Sequence, residues 1–297
     1  MDLALETFLT ALYVIVDELY QDHMQPQMPA SGGPPARMSA SAGLCLGLAA
    51  QWQSGVPWKS ARGVRRYVPK HVRPLLPMLL SQSACNRRLR RLWGAFIMIQ
   101  DRLAAVLVTP QEFAVMDGFP MPVAHGARSL HPGALAEIAR LGKGGNDRYC
   151  YGIRMMMVVS QSGVATGWAL ASGNVQERWV AELLFSTRAG RPQLQGPIAP
   201  ETGQPKGTPP CAWMAPVPRC GAASNQPVMT DSGFRGDAWL AHWAEAYGVH
   251  VCPLPKGLSR TQRHQWSSAR HVVETTCANL TEHFGRTYPE AHTSWGL

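Results

Sequence analysis

No CxxC pair occurs in the sequence, and its seven cysteines, at 45, 85, 150, 211, 220, 252 and 277, are odd in number and scattered. Neither a disulfide framework nor a thiolate zinc site is indicated, and the residues read as reduced thiols in a cytoplasm. Long apolar runs are also missing. The stretch Met155 to Val159 has strand length, far short of the roughly 20 residues that cross a bilayer. The first twenty residues are apolar, but no Lys or Arg precedes them, and Asp2, Glu6, Asp17 and Glu18 stand among them. That is the wrong charge order for a signal peptide, so neither export nor membrane insertion is expected. Acidic residues are scarce in one place above all: between 59 and 102 the only one is Asp101.

What is present is a basic chain with ample core material. Of 297 residues, 28 are Lys or Arg and 19 Asp or Glu, a net charge of +9, and 45% are hydrophobic, with ten Trp. Such a composition makes a folded protein rather than a disordered one. The excess charge is local. Eleven bases, including Arg62, Arg65, Arg66, Lys70, Arg87, Arg88, Arg90 and Arg91, face Asp101 alone within residues 59–102. Solubility is better served by mixed signs, so the block reads as a polyanion footprint, with nucleic acid first and an acidic protein or anionic lipid behind it.

Apolar periodicity predicts a helix over 3–20 and a second, Ala- and Leu-rich one over 39–53. A long helix to about 108, capped by Ser83 or Asn86, would carry the four arginines in its first turns and bury Trp93, Phe96, Ile97 and Ile99 later. The first 108 residues therefore read as a helical DNA-binding domain, with short pieces broken by Pro57, Pro69, Pro74 and Pro77. Residues 109–297 change period: strands over 112–119, 148–160 and 164–171, a helix from Asn174 to Phe185, a strand over 228–230, a helix over 238–247, a strand over 249–254 and a helix over 267–284. Three strands, then helix, strand, helix, strand, helix, imply a mixed α/β sheet flanked by helices. The Pro- and Gly-rich stretch 190–227 reads as an inserted or disordered loop.

Three acids stand in unusual places. Asp117 interrupts an apolar strand, where an ionised group is costly unless something positive meets it; an Asp-Gly turn ending the strand is the plainer reading. Asp231 ends a strand, the edge where open α/β sheets put their sites, or else caps an Asp-Ser-Gly turn. Glu274 borders the buried stripe of the last helix, or else pairs with Arg270 on the surface. Converging carboxylates suit hard cations such as Mg²⁺, which take oxygen ligands and are held by one or two carboxylates plus substrate phosphates. Two such ions can activate an attacking oxygen and stabilise a leaving one at a phosphodiester.

The segments VMDGFPMPV, RYCYGIRMMMVVSQSGVATGWALASGNVQE, TDSGFRG and HVVETTCANLTEHFG together resemble bacterial insertion-sequence transposases of the DDE class, over roughly residues 110–297 outside the insert. The resemblance implies a ribonuclease H-like catalytic domain with Asp117, Asp231 and Glu274 as catalytic and metal-binding triad. It implies Mg²⁺ as cofactor, with Mn²⁺ as substitute, and double-stranded DNA as partner, both terminal inverted repeats and target, bound by a homodimer in a bacterial cytoplasm. Hydrolysis at the element's ends would release a 3′-hydroxyl that attacks a target phosphodiester in line. In one group of these enzymes the last helix carries Tyr, Arg, Glu and Lys in sequence; here Arg270 and Glu274 match, and Ser267 and Thr281 stand in the other two places. Arg270 would then hold a substrate phosphate or pair with Glu274. Relatives continue with a further helix after this one, which leaves a truncated, non-catalytic DNA binder as the rival expectation and a metal-dependent nuclease of the same fold as a third.

Other residues are weaker candidates. His250, His264 and His271 are read as surface or core groups rather than ligands. Trp52, Trp58 and Tyr67 interleave the basic block and either pack on DNA or form core.

Overall fold

The structure, a computed structural model, describes residues 5–27, 37–52, 55–58, 61–71, 78–108, 112–124, 135–144, 149–190, 214–215 and 226–284. The chain divides into two compact units, one of Met1–Leu103 with Leu280–Gly285 and one of Ala104–Asn279 with Arg286–Leu297.

The first unit is helical: α1 (Leu5–Leu19), continued by a π-helical turn, α2 (Ala40–Gln51), α3 (Ala61–His71), α4 (Gln82–Arg91) and the greater part of α5 (Trp93–Leu107). Ser39 caps α2 by accepting the Ala42 N–H at 3.0 Å, which fixes the start expected there. The single long helix expected over 83–108 is two helices. Leu92 leaves helical geometry (φ −90°, ψ 6°) and buries its side chain against Val16, Leu44, Ala95 and Ile99, and burial of one large aliphatic side chain outweighs a broken turn. The cap of α4 is Ser81, which accepts from Ala84 N. Trp93 is exposed rather than buried, and Ala95 and Ile99 form the inward stripe. Pro69 lies inside α3 instead of ending it, in a helix anchored by fully buried Val64 and Val68.

The second unit is a mixed α/β structure. Its strands are β1 (Ala114–Ala124), β2 (Arg140–Lys143), β3 (Tyr149–Ser160), β4 (Ala165–Ser172), β5 (Met214–Ala215), β6 (Val228–Thr230) and β7 (Val251–Pro253). They lie in the order β5-β4-β3-β1-β6-β7, with β2 also on β3. β1, β3 and β4 are antiparallel neighbours, while β6 is parallel to β1 and β7 parallel to β6. β1 runs through Pro120 and Pro122, where the sequence predicted a stop. Among the described residues β6 pairs β1 only at Ala114 and Val115, so the later part of β1 is an edge, where Pro is tolerated. β2 and β5 carried no periodic signal; β5 lies in the stretch read as an insert and pairs Leu170 and Ala171 of β4. The rest of 191–225 lies outside the described residues.

The helices α6 (Glu177–Arg188) and α7 (Asp237–Tyr247) bury Trp179, Val180, Leu184, Phe185, Trp239 and Trp243 against Met116, Met156 and Val158 of the sheet. Trp179 meets Trp239 edge to face at 5.0 Å, a favoured aromatic geometry. α7 stops at Gly248, whose φ of 67° is the left-handed cap that glycine adopts without strain. The last helix, α8, spans Arg260–Phe284. No helix among the described residues is long and apolar enough to cross a membrane.

Candidate active site

Asp117 lies on β1, and Asp231 follows directly after β6. The parallel register pairs Ala114 with Val228 and Val115 with Met229, so two residues further along each strand come Asp117 and Asp231. The pairing of two central strands thus brings together acids far apart in sequence at the carboxyl edge of β6. Side chains alternate along a strand. Met116 faces the α6–α7 core, so Asp117 faces the opposite side of the sheet, and there Arg270 of α8 donates from Nη2 to its Oδ2 at 2.6 Å. Asp117 Oδ1 accepts from Gly118 N at 2.9 Å. Asp231 accepts from Gly233 N at 2.9 Å and so also caps the short turn Ser232–Phe234.

A further acid that sequence reasoning missed lies near enough to feel their charge, on the α6 side of the sheet. Glu177, at the start of α6, packs over Gly118: a methyl group there would meet its Cγ at 3.1 Å and its Oε1 at 3.2 Å. A larger residue after Asp117 would displace that carboxyl. Arg154 of β3 pairs with Glu177 through Nη1 and donates from Nη2 to the Lys143 carbonyl at 2.9 Å. Both residues stand within segments singled out above, in GNVQE and YGIRMMM, but nothing in either motif tells which strand faces α6.

The electrostatics reflect crowding. Burial pushes the Asp117 carboxyl above its ordinary value, Arg270 and the Gly118 N–H pull it back, and the Asp231 charge pushes it up again. Burial likewise raises Glu177; Arg154 opposes that rise, and Asp231 and Asp117 add to it. Two like charges close together cannot both ionise cheaply. The three acids therefore sit in a region whose two arginines offset only part of their charge.

Glu274 stands apart. Its side chain is 57% exposed and faces His271 Nδ1 at 3.4 Å, and among the described residues no three His, Cys, Asp or Glu side chains come together to hold a metal. Arg270 and Glu274 are one helical turn apart, so they share a face of α8, but here only Arg270 meets the strand-borne acids. The donor set that fits Mg²⁺ is the hard oxygen pair of Asp117 and Asp231, with the remaining positions left to waters and phosphates.

Elsewhere the candidates divide. Arg62, Arg66, Lys70, Arg87, Arg90 and Arg91 are exposed, while Arg65 and Arg88 are half-buried. On α3, Arg62, Arg65, Arg66 and Lys70 recur at helical spacing opposite the buried Val64 and Val68, and Arg65 donates to Gln82 of α4 at 3.0 Å. Trp58 is core, its indole N–H shared between the carbonyls of Ala49 and Trp52. Tyr67 stacks on His71 at 4.3 Å. His250, His264 and His271 are exposed.

Compared with known proteins, the chain matches no family model, and no curated protein matches it.

Proposed function

We propose that the chain is a DNA transposase of the DDE class, cleaving the ends of an insertion sequence and joining them to target DNA. The observation that carries this reading is the meeting of Asp117, within β1, and Asp231, directly after the parallel β6, with Arg270 of α8 bonded to the first. The strand order supports it: three antiparallel strands with two parallel ones beside the first is the arrangement of a ribonuclease H-like sheet. The exposed basic faces of α3 and α4 are a suitable footprint for duplex DNA.

On this reading Asp117 and Asp231 hold Mg²⁺, or Mn²⁺ in its place, and Glu274 completes the set from the same face of α8 as Arg270. The bound metal supplies activation of the attacking oxygen and stabilisation of the leaving one. The protein's own groups do the rest. Arg270 orients the Asp117 carboxylate and offsets its charge, the Gly233 N–H fixes Asp231, and the basic helices retain the duplex. Water acts first and the freed 3′-hydroxyl second, in line with the scissile bond. The homodimer that brings two ends together belongs to the same proposal.

The test is incubation of the chain with DNA flanking its own gene. Mg²⁺-dependent nicking at an end, followed by joining of that end to a second duplex, is expected, and faster cutting of paired than of single ends marks the dimer. Nicking without joining would make it a nuclease; binding without nicking would make it a non-catalytic DNA binder. Neutralising Arg87, Arg88, Arg90 and Arg91 together should lower the slope of log affinity against log salt by about 0.9 per lost phosphate contact.

A further inference from the structure

The helix that delivers Arg270 to Asp117 carries more positive charge than that contact uses. Between Glu245 and Glu274 the sequence has no Asp or Glu, while Lys256, Arg260, Arg263 and Arg270 all fall there. Both ends of this stretch are fixed beside the acids. At one end the Leu254 N–H bonds the Thr230 carbonyl at 3.1 Å, one residue before Asp231, and Arg235 donates from Nε to the Leu254 carbonyl at 2.8 Å. At the other, Arg270 reaches Asp117. The start of α8 is set by a reciprocal cap, in which Ser259 Oγ accepts the Gln262 N–H at 3.2 Å and Gln262 Oε1 accepts the Ser259 N–H at 3.1 Å. Gln is the uncharged choice for that cap.

Arg260, Arg263, Arg270 and Glu274 recur at helical spacing and share one face of α8. Lys256 and residues 259–265 are exposed. Among the described residues no carboxylate pairs with Lys256, Arg260 or Arg263. Arg263 donates from Nη2 to the Leu258 carbonyl at 3.4 Å, a long bond within its own turn. The acids nearest the face have partners of their own: Arg270 engages Asp117, the Gly233 N–H holds Asp231, and Glu274, at the far end, faces His271. The placement works against the helix. A first turn favours acids, because its free amides carry partial positive charge, yet that of α8 contains none and begins at Arg260. A face kept only for solubility would mix signs at i, i+4. An anion bound along it offsets both costs.

We propose that Arg260 and Arg263, with Lys256 before them, form a DNA-contact surface that holds backbone phosphates of the strand cut at Asp117 and Asp231. The assignment to DNA rests on the transposase reading above. At about 1.5 Å of rise per residue, Arg263 and Arg260 stand about 10 and 15 Å along α8 from Arg270. That is the length of a few nucleotides at about 3.4 Å each. Phosphate contacts fix register without reading sequence, and contacts this close to the cut align the strand with the acids. The two arginines position the strand and take no part in bond breaking.

The test uses the full chain in EDTA and a duplex carrying one of its own ends, in which each phosphate near the cut is replaced in turn by an uncharged methylphosphonate. Binding is followed by fluorescence anisotropy for wild type, Arg260→Gln/Arg263→Gln and Arg260→Lys/Arg263→Lys, with retained thermal transitions as the folding control. On unmodified DNA the Gln variant should lower the slope of log affinity against log salt by about 1.8, two contacts at about 0.9 each, and the Lys variant should stay near wild type. Methylphosphonates at one or two positions should weaken wild type severalfold and leave the Gln variant unaffected, since the contact they remove is already gone. Losses that add at every position overturn the assignment. So does an unchanged slope where wild type binds and cuts, an outcome that leaves the face to an acidic protein. If wild type does not bind or does not cut its own ends, the transposase reading fails first, and this inference falls with it.

Discussion

Glu177 and Glu182 stand on the same helix five residues apart, and their surroundings differ in kind. Glu182 is fully buried, with donors from one neighbouring helix around its carboxylate: Trp243 Nε1 at 2.8 Å, Tyr247 OH at 2.5 Å and His242 Nε2 at 3.0 and 3.1 Å from its two oxygens. Glu177 has Arg154 on one side and the charges of Asp231 and Asp117 on the other. A buried carboxylate surrounded by donors locks packing, here of α6 on α7. One that also feels other carboxylates carries repulsion that a cation relieves. Burial alone does not separate the two; the sign of the neighbours does.

The largest expected difference is in activity. On the proposed reading, Asp117→Asn and Asp231→Asn should each reduce end nicking by more than about 100-fold, a loss that even partners behind the ligands of a metal site can produce, while duplex binding in EDTA persists. Glu182→Gln should leave nicking per folded molecule near wild type. Near-normal cutting by either Asp variant would make that acid structural and remove the contrast.

Stability should respond the other way round. Glu182→Leu takes a buried acceptor from the indole N–H of Trp243 and from the hydroxyl of Tyr247, and losing such a partner costs about 1–3 kcal/mol. A loss of about 3 kcal/mol is expected in denaturant titrations, against no loss for Asp231→Asn without metal. Equal losses would mean that the edge acids also support the fold.

A smaller effect is expected with pH. Because the carboxyls of Asp117 and Glu177 titrate above their ordinary values of 3.8 and 4.5, the native state holds more protons than the unfolded chain in the window just above those values. Stability from these two groups is therefore greatest at low pH and declines as pH rises through the raised values. Melting temperatures of metal-free wild type and of Asp117→Asn/Glu177→Gln, compared between about pH 4 and pH 7, should converge at the acid end and favour the variant at the neutral end. Parallel curves would show that the crowding has no thermodynamic consequence.

The smallest expected change in stability is that of Glu274→Gln. Its exposed carboxylate should affect stability by less than about 0.5 kcal/mol, while on the proposed reading nicking is lost. Retained nicking would restrict the site to Asp117 and Asp231.

Much of the architecture was legible because period and capping are local. The hairpin of β3 and β4, the short β6, and helices α1, α2 and α7 follow from apolar spacing and turn residues within a few positions of those expected. The break at Leu92 was not legible, since its cause is a buried contact with residues such as Val16 and Leu44. Nor was the extension of β1 through two prolines, which depends on how little of that strand β6 covers. Asp117 and Asp231 stood out as charges in or at the end of apolar strands. Glu177 did not, because a Glu in the first turn of a helix is ordinary, and only its position over Gly118 makes it part of the cluster.

The sequence by itself determined most of the helices and strands, where the positive charge is concentrated, and which acids interrupt apolar stretches, since each of these is written within a window of neighbouring residues. Tertiary structure alone decided which charges meet. The parallel pairing of β1 with β6 placed Asp117 beside Asp231, the approach of α6 brought Glu177 to Arg154 of β3, and the packing of α8 gave Asp117 to Arg270 while leaving Glu274 facing solvent. Coulomb interactions act through space and depend on distance and burial, and neither quantity is encoded in the spacing of residues along the chain.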